Sequence, residues 1–336
     1  MAVVELVIQI GDSHTSIYKK GAGLILKEAS VVAFGRSRNK MILHAVGNEA
    51  KEMQGKTDSN VWVESPVKYG SIVNMELAQL MLSSFLDTVL VKRKMFTKIN
   101  VVMLTSCTLS PEDKRDYEKL AFNCDINYVY FVPSIIACAV GGGFDLSDIR
   151  GKMIVNIGAG STEIAVVSQY SIVNGVNIEL GGSVIDSAIV KTVFEVFNIV
   201  ISENTAEKIK KEIGSLHEND ISNVDFSGID ALTRVSRENT LFAKDLYEVF
   251  EVAYNKIAEA IDIVINQLSP DLANDVATNG IYFCGGGSLI TGLEGYFKKH
   301  LNMPIELSTD PEIVSVLGGG ILMSDKSMLK VVVDKN

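Results

Sequence analysis

Short apolar runs alternate along the chain with longer stretches whose apolar positions recur at helical spacing, and that alternation predicts an α/β protein. Val3–Ile10 and Ser16–Tyr18 predict a hairpin across a glycine turn, with Val31–Phe34 as a third strand. Glu76–Leu90, ELAQLMLSSFLDTVL, carries the helical spacing. Val101–Leu104 and Tyr128–Val132 read as short buried strands around a polar helix at Ser110–Phe122, with Ser110 as N-cap and acids in its first turn. Ile135–Gly143, IIACAVGGG, predicts a small-residue helix ending in glycines, and Met153–Val167 a second hairpin. Val184–Phe197 and Thr205–Ile213 read as helices, the latter stopped by Gly214. Leu216–Arg237 reads as loop and strand, and Phe242–Leu268 as one long amphipathic helix. Ile281–Cys284 is a strand that leads through Gly285, Gly286 and Gly287 into a helix at Ser288–His300. Ile313–Met323 is a last small helix running through Gly318, Gly319 and Gly320.

The two hairpins are near-twins. Val7–Ile17 reads VIQIGDSHTSI, and Ile154–Ile164 reads IVNIGAGSTEI. Each is an apolar strand, a glycine turn with small hydroxyl residues, and a second apolar strand. With 336 residues, the chain suits two lobes built by internal duplication, and such folds place a ligand where the halves meet. A turn of this kind on its own is usually an ordinary hairpin. Two in matched positions, with a third strand–GGG–helix unit at Phe283–Leu289, point to a nucleotide, because glycine lets backbone amides converge on phosphate without a Cβ in the way.

Charge narrows the partners. The formal net charge of −10 argues against nucleic acid, whose binding needs a basic field. The four cysteines show no CxxC spacing and read as buried free thiols of a reducing compartment; the four scattered histidines give no metal pattern. The N-terminus reads as a first strand rather than a signal peptide, and no apolar run reaches the roughly 18 residues that span a bilayer. A soluble, cytoplasmic protein is expected.

The hairpin pair, IIACAVGGG, the GGGSLI turn and the VLGGG helix resemble the five signatures of the actin, Hsp70 and sugar-kinase superfamily. Within it the chain is similar to the MreB family of bacterial actins over nearly its whole length, through KGAGLILKEASVVAF, AVGNEAKEMQGKT, ELGGSVIDSAIV, TAEKIKKEIGS and CGGGSLITGLEGYF. The resemblance implies an actin-like fold, α/β, of two lobes built from a duplicated RNase H-like unit with a nucleotide cleft between them. The first lobe would comprise residues 1–145, with a small subdomain at roughly 33–66 and residues 315–336 packing back on it. The second would comprise 146–314, with its small subdomain at roughly 182–242. ATP and Mg2+ are the implied cofactors. The first phosphate turn maps onto Asp12, Ser13 and His14, and the second onto Ala159, Gly160 and Ser161. The adenosine-side helix maps onto Glu207, Lys208, Ile209 and Lys210, and the third turn onto Gly286, Gly287, Ser288 and Leu289. Glu207 and Lys210 share a helix face, so one would bond ribose while the other approaches the base; a solvated surface pair is the alternative.

Several positions depart from the family pattern. Aspartates that help hold magnesium and its waters are replaced by Gln9 and Asn156, and the glutamate that activates the attacking water by Ser134. Amides accept hydrogen bonds from metal-bound water but bring no charge. Loss of a general base costs about 10²–10⁴-fold in rate. Asp12 stands where the family has threonine, and the sequence leaves open whether it adds metal charge or repels the γ-phosphate. Nucleotide binding with weak or lost hydrolysis is therefore expected.

The resemblance also implies self-assembly into protofilaments, paired antiparallel at the inner face of the cell membrane, with MreB paralogues as possible co-assembly partners. Met95 and Phe96, flanked by four cations in VKRKMFTK, fit a membrane-contact loop; a helix end with its apolar residues packed back is the alternative. The expected function is a filament protein governing cell shape or shape-linked motility, peripheral at the membrane. An ATP-dependent switch or chaperone-like ATPase of the same superfamily is the alternative function.

Overall fold

A computed structural model describes residues 3–37, 40–57, 60–90 and 97–336. The chain forms two compact units: Met1–Arg150 with Ala165–Asn177 and Glu312–Asn336, and Gly151–Ile164 with Ile178–Pro311. Met95 and Phe96 lie outside the described residues.

The first unit opens with strands β1 (Val3–Ile10), β2 (His14–Lys19) and β3 (Gly23–Ala29). A small sheet follows from β4 (Val32–Ser37), β5 (Lys40–Val46) and β6 (Val61–Glu64), with helix α1 (Gly47–Met53) between the last two. Next come a two-stranded ribbon, β7 (Val67–Lys68) and β8 (Ser71–Ile72), and helix α2 (Met75–Val89). Strand β9 (Lys98–Thr105), helix α3 (Pro111–Asn123), strand β10 (Tyr128–Pro133) and helix α4 (Ser134–Gly141) complete this stretch. The main sheet runs β10-β9-β1-β2-β3, parallel across its first three strands and antiparallel through the hairpins.

Alternation along β1 decides its two faces. Leu6 and Ile8 turn to one side and bury against Leu77, Met81, Leu82 and Phe85 of α2 and Tyr117 and Leu120 of α3, the main core of this unit. Helix α2 starts where the Asn74 side chain accepts from the Leu77 amide. Helix α3 starts where Ser110 accepts from the Asp113 amide, as anticipated. Val7 turns to the opposite side, where the late helix α10 (Val314–Ser324) packs so closely that a Cβ on Gly319 would sit 2.6 Å from Val7 Cγ1.

The second unit carries β11 (Lys152–Ile157), the start of β12 (Thr162–Ser168), and, after β13 (Ser171–Ile178), helix α5 (Gly182–Phe197). Strand β14 (Ile199–Val200), helix α6 (Glu203–Ile213) and the hairpin β15 (Asn223–Asp230) with β16 (Ser236–Phe242) follow. Helices α7 (Tyr247–Asn266) and α8 (Pro270–Asn279), strand β17 (Ile281–Cys284), helix α9 (Leu293–Leu301) and strand β18 (Ile305–Leu307) complete it. The larger sheet has the order β13-β12-β11-β17-β18. Chain and first unit end with helix α11 (Lys326–Lys335).

Two sequence expectations change. The long helix anticipated at Phe242–Leu268 begins later, because Phe242 still pairs with Asn223 in β16 and its amide donates to Asp245, opening a single 3-10 turn before α7. Strand β3 and helix α8 were not anticipated. The helix expected at Ser288–His300 is a 3-10 turn, Gly286–Leu289, followed by a left-handed Gly292 that starts α9 afresh.

Candidate functional site

The twin hairpins close identically. The Gly11 amide donates to the His14 carbonyl at 3.0 Å, and the Gly158 amide to the Ser161 carbonyl at 2.9 Å. Each glycine thus bends its strand so that three residues, Asp12–His14 or Ala159–Ser161, form the tip. These are the two turns the sequence assigned to phosphate.

Around the first turn, the side chain of Asp12 is committed within its own unit. Its Oδ2 accepts from the Tyr69 amide at 2.5 Å and its Oδ1 from the Gly70 amide at 3.1 Å. Tyr69 and Gly70 both have positive φ, 53° and 81°, so their amides converge on one carboxylate. Burial pushes the Asp12 pKa above the ordinary carboxylate value, with the two amides pulling the other way. Of the two roles the sequence left open for Asp12, the geometry favours neither: the carboxylate clasps the β7–β8 turn. Ser13 Oγ lies 2.9 Å from His14 Nδ1, and the Ser13 carbonyl accepts from the Ser30 amide. Gln9 Oε1 accepts from the buried Ser315 hydroxyl at 2.7 Å. Ser134 is buried as the first residue of α4.

In the second unit, α5 begins flush against the second turn. The Gly182 and Ser183 amides donate to the carbonyls of Gly158 and Ala159 at 3.0 and 2.8 Å. A Cβ on Gly181 would stand 2.5 Å from the Ala159 oxygen, so glycine is what allows this approach. Asn156 Nδ2 donates to the buried Glu163 carboxylate at 3.1 Å. In the first hairpin, the corresponding residues Gln9 and Ser16 pair across the strands.

Helix α6 brings its expected residues to different places. Ile209 is buried in the core, Lys208 is exposed, and Glu207 accepts from Lys211 at 2.7 Å. Lys210 turns onto α5, where its Nζ donates to the Gly182 carbonyl at 2.9 Å and to Asp186 Oδ2 at 2.8 Å. Burial raises the Asp186 pKa, with Lys210 opposing it. Its Oδ1 is buried with no hydrogen-bond partner among the described residues. In the third turn, Gly285 has φ of 81°, the Ser288 hydroxyl donates to the Gly285 carbonyl at 2.8 Å, and Tyr254 OH donates to the Gly287 carbonyl at 2.6 Å. A Cβ on Gly285 would meet Asn156 Oδ1 at 2.6 Å, so the second and third turns share one patch of the second unit. Leu289 is exposed beside them.

Sequence reasoning missed Glu163, Asp186 and Tyr254. The first two had a signal: Glu163 stands in the second twin where Ser16 stands in the first, and Asp186 follows Gly182 by one helical turn in ELGGSVIDSAIV.

These turns fit a phosphate-bearing nucleotide, since a glycine-initiated loop closed within four residues is short enough to present backbone amides to an anion. They do not build a cage for a divalent metal. No cluster of three His, Cys, Asp or Glu occurs among the described residues, and the Gln9 and Asn156 amides are engaged by Ser315 and Glu163. A magnesium ion here would be held mainly by phosphate oxygens and its own waters.

Known proteins agree with this architecture. The family model described as MreB/Mbl protein matches residues 3–331. The cell shape-determining protein MreB of Escherichia coli (strain K12) is 31% identical over 319 residues, covering 94% of this chain and 92% of that protein. Mbl of Bacillus subtilis (strain 168) is 28% identical over 327 residues, covering 96% of each. MreB5 of Spiroplasma citri bound to ADP matches with a TM-score of 0.90 at 26% identity over 97% of both chains. A MamK double helical filament shares the fold, with a TM-score of 0.80 at 20% identity over 96% of this chain and 99% of that one. With the match running from the first strand into the last helix, this chain belongs to the MreB/Mbl family and has its actin-like fold.

Proposed function

We propose that the protein is a nucleotide-binding, filament-forming cytoskeletal protein that governs cell shape or shape-linked motility, and that it hydrolyses ATP slowly or not at all. The observation that carries the first part is the matched closure of the Gly11 and Gly158 turns, in a chain whose relatives include an ADP-bound MreB5. Asp12–His14 and Ala159–Ser161 supply amides to phosphate, and Gly286–Leu289 with α6 supports the adenosine side. Lys210 acts there by fixing α6 to α5. The lobes are residues 1–145 with 315–336, and 146–314.

Slow hydrolysis is supported by the chemistry at three positions. Ser134 offers a hydroxyl where the resemblance expects a carboxylate base, and Gln9 and Asn156 are uncharged and engaged by neighbours. ATP is bound with Mg2+ carried on its phosphates.

The filaments lie at the inner face of the cell membrane as antiparallel pairs, alone or with MreB paralogues, and contact it through Met95 and Phe96. No helix among the described residues is long and apolar enough to cross a membrane, in keeping with peripheral contact. The test is single-turnover hydrolysis of bound ATP with magnesium, run beside pelleting of the same sample. Filaments with phosphate release far below that of the Escherichia coli relative are expected; equal rates would overturn the slow-hydrolysis reading. Pelleting with anionic liposomes is expected to be lost when Met95 and Phe96 are both changed to serine.

A further inference from the structure

Helix α11 is strung over the main sheet of the first unit by anchors at both ends. Just before it, Lys20 Nζ pairs with Glu5 at 2.8 Å and reaches the carbonyl of Met323, near the end of α10, at 3.5 Å. At its end, Lys335 Nζ donates to the Gln169 carbonyl at 2.8 Å and Asn336 Nδ2 to the Tyr170 carbonyl at 2.9 Å. Between these anchors the helix stands off the sheet and leaves a cavity of about 450 Å³. That volume falls within the range of small-molecule sites.

The floor follows from strand register. Glu5 pairs with Asn100, and Val102 pairs with Tyr130, so these four side chains share the face of the sheet that α11 covers. The roof is a single face of α11, with Lys326, Leu329, Lys330, Val333 and Asp334 recurring at helical spacing.

Three features fix the chemistry of an occupant. Val102, Met323, Leu329 and Val333 give apolar walls. Lys326 and Lys330 stand one turn apart on the exposed rim of the cavity, and neither ammonium is in a hydrogen bond or ion pair among the described residues. Of the lining carboxylates, Glu5 is already paired with Lys20, so Lys326 and Lys330 outweigh Asp334 on this face by one positive charge.

We propose that this cavity binds a free, single-chain carboxylate of medium length, its tail along Val102 and Leu329 and its head on Lys326 and Lys330. The site is separate from the glycine turns and does not depend on the nucleotide reading. Isothermal titration of the full chain with decanoate, kept below its micelle concentration, tests it. One saturable site is expected, weakened about tenfold or more in a Lys326→Gln/Lys330→Gln variant, which removes both charge-assisted bonds. It should be lost in Val333→Trp, which fills the cavity from the roof, with circular dichroism unchanged in both variants. Absence of saturable binding to the unaltered protein, or equal affinity in both variants, overturns the proposal. So does lysine-dependent retention on phosphatidylglycerol vesicles without decanoate binding, which would make this face a lipid-headgroup contact instead.

Discussion

Replacing Lys210 with methionine keeps the apolar stem and removes the ammonium, leaving Asp186 with a charge it cannot share. The pair is largely shielded, with side-chain exposures of 19% for Lys210 and 12% for Asp186. Removing one member of a fully buried pair costs about 3–5 kcal/mol, because the other stays behind uncompensated. The residual exposure of both side chains lets water relieve some of that, so about 2–3 kcal/mol is expected for Lys210→Met. With a urea dependence of about 2 kcal/mol per molar, the midpoint for the second unit falls by about 1–1.5 M. The sign of the pH dependence is fixed as well. Burial already holds the Asp186 pKa above its ordinary value, and the variant loses the cation that opposes this. A carboxyl whose folded pKa is raised favours the folded state at low pH and penalises it as pH rises, so the deficit should be largest near neutrality and shrink as pH falls toward the carboxylate range. Adding Asp186→Asn removes the stranded charge and should restore more than half of the lost stability. Urea titrations of the single and double variants, followed by circular dichroism at several pH values, make the comparison. A deficit independent of pH, or a double variant no more stable than the single one, would refute the reasoning.

Two further outcomes follow from the turns. Asp12→Ala strips the Tyr69 and Gly70 amides of a charged acceptor and should cost about 2 kcal/mol, read as a lower melting temperature with faster amide exchange at those two residues. Gly181→Ala drives a Cβ against the Ala159 carbonyl and should cost about 1–3 kcal/mol and weaken binding of a fluorescent ADP analogue; unchanged binding would separate α5 from the phosphate turn.

What the sequence made legible was local. The twin hairpins follow from a repeated string, and Ser110 as a cap follows from SPED, since a cap is decided within a few residues. Helix α2 was legible because its apolar face is periodic throughout. Strand β3 was not, because Lys27 and Glu28 break its apolar run, and it is held by pairing with β2 that no local pattern records. The helix at Phe242–Leu268 was overextended because apolar spacing continues through a segment that cross-strand pairing with Asn223 claims first. The partners of Asp12 and Lys210 were illegible for the same reason. Tyr69 lies 57 residues from Asp12 and Asp186 lies 24 from Lys210, so only the fold brings them together.

The shared closure of the two hairpins bears on descent. Gly11 and Gly158 make the same bond to the residue three places on, yet the tips match at no position and the cross-strand pairs differ, glutamine with serine in one and asparagine with glutamate in the other. After duplication, then, the backbone loop was the inherited character and the side chains on it were free to diverge. Ancestry among such half-repeats is better scored by that loop than by residue identity, and either copy can lose its chemistry while remaining recognisable as a sibling.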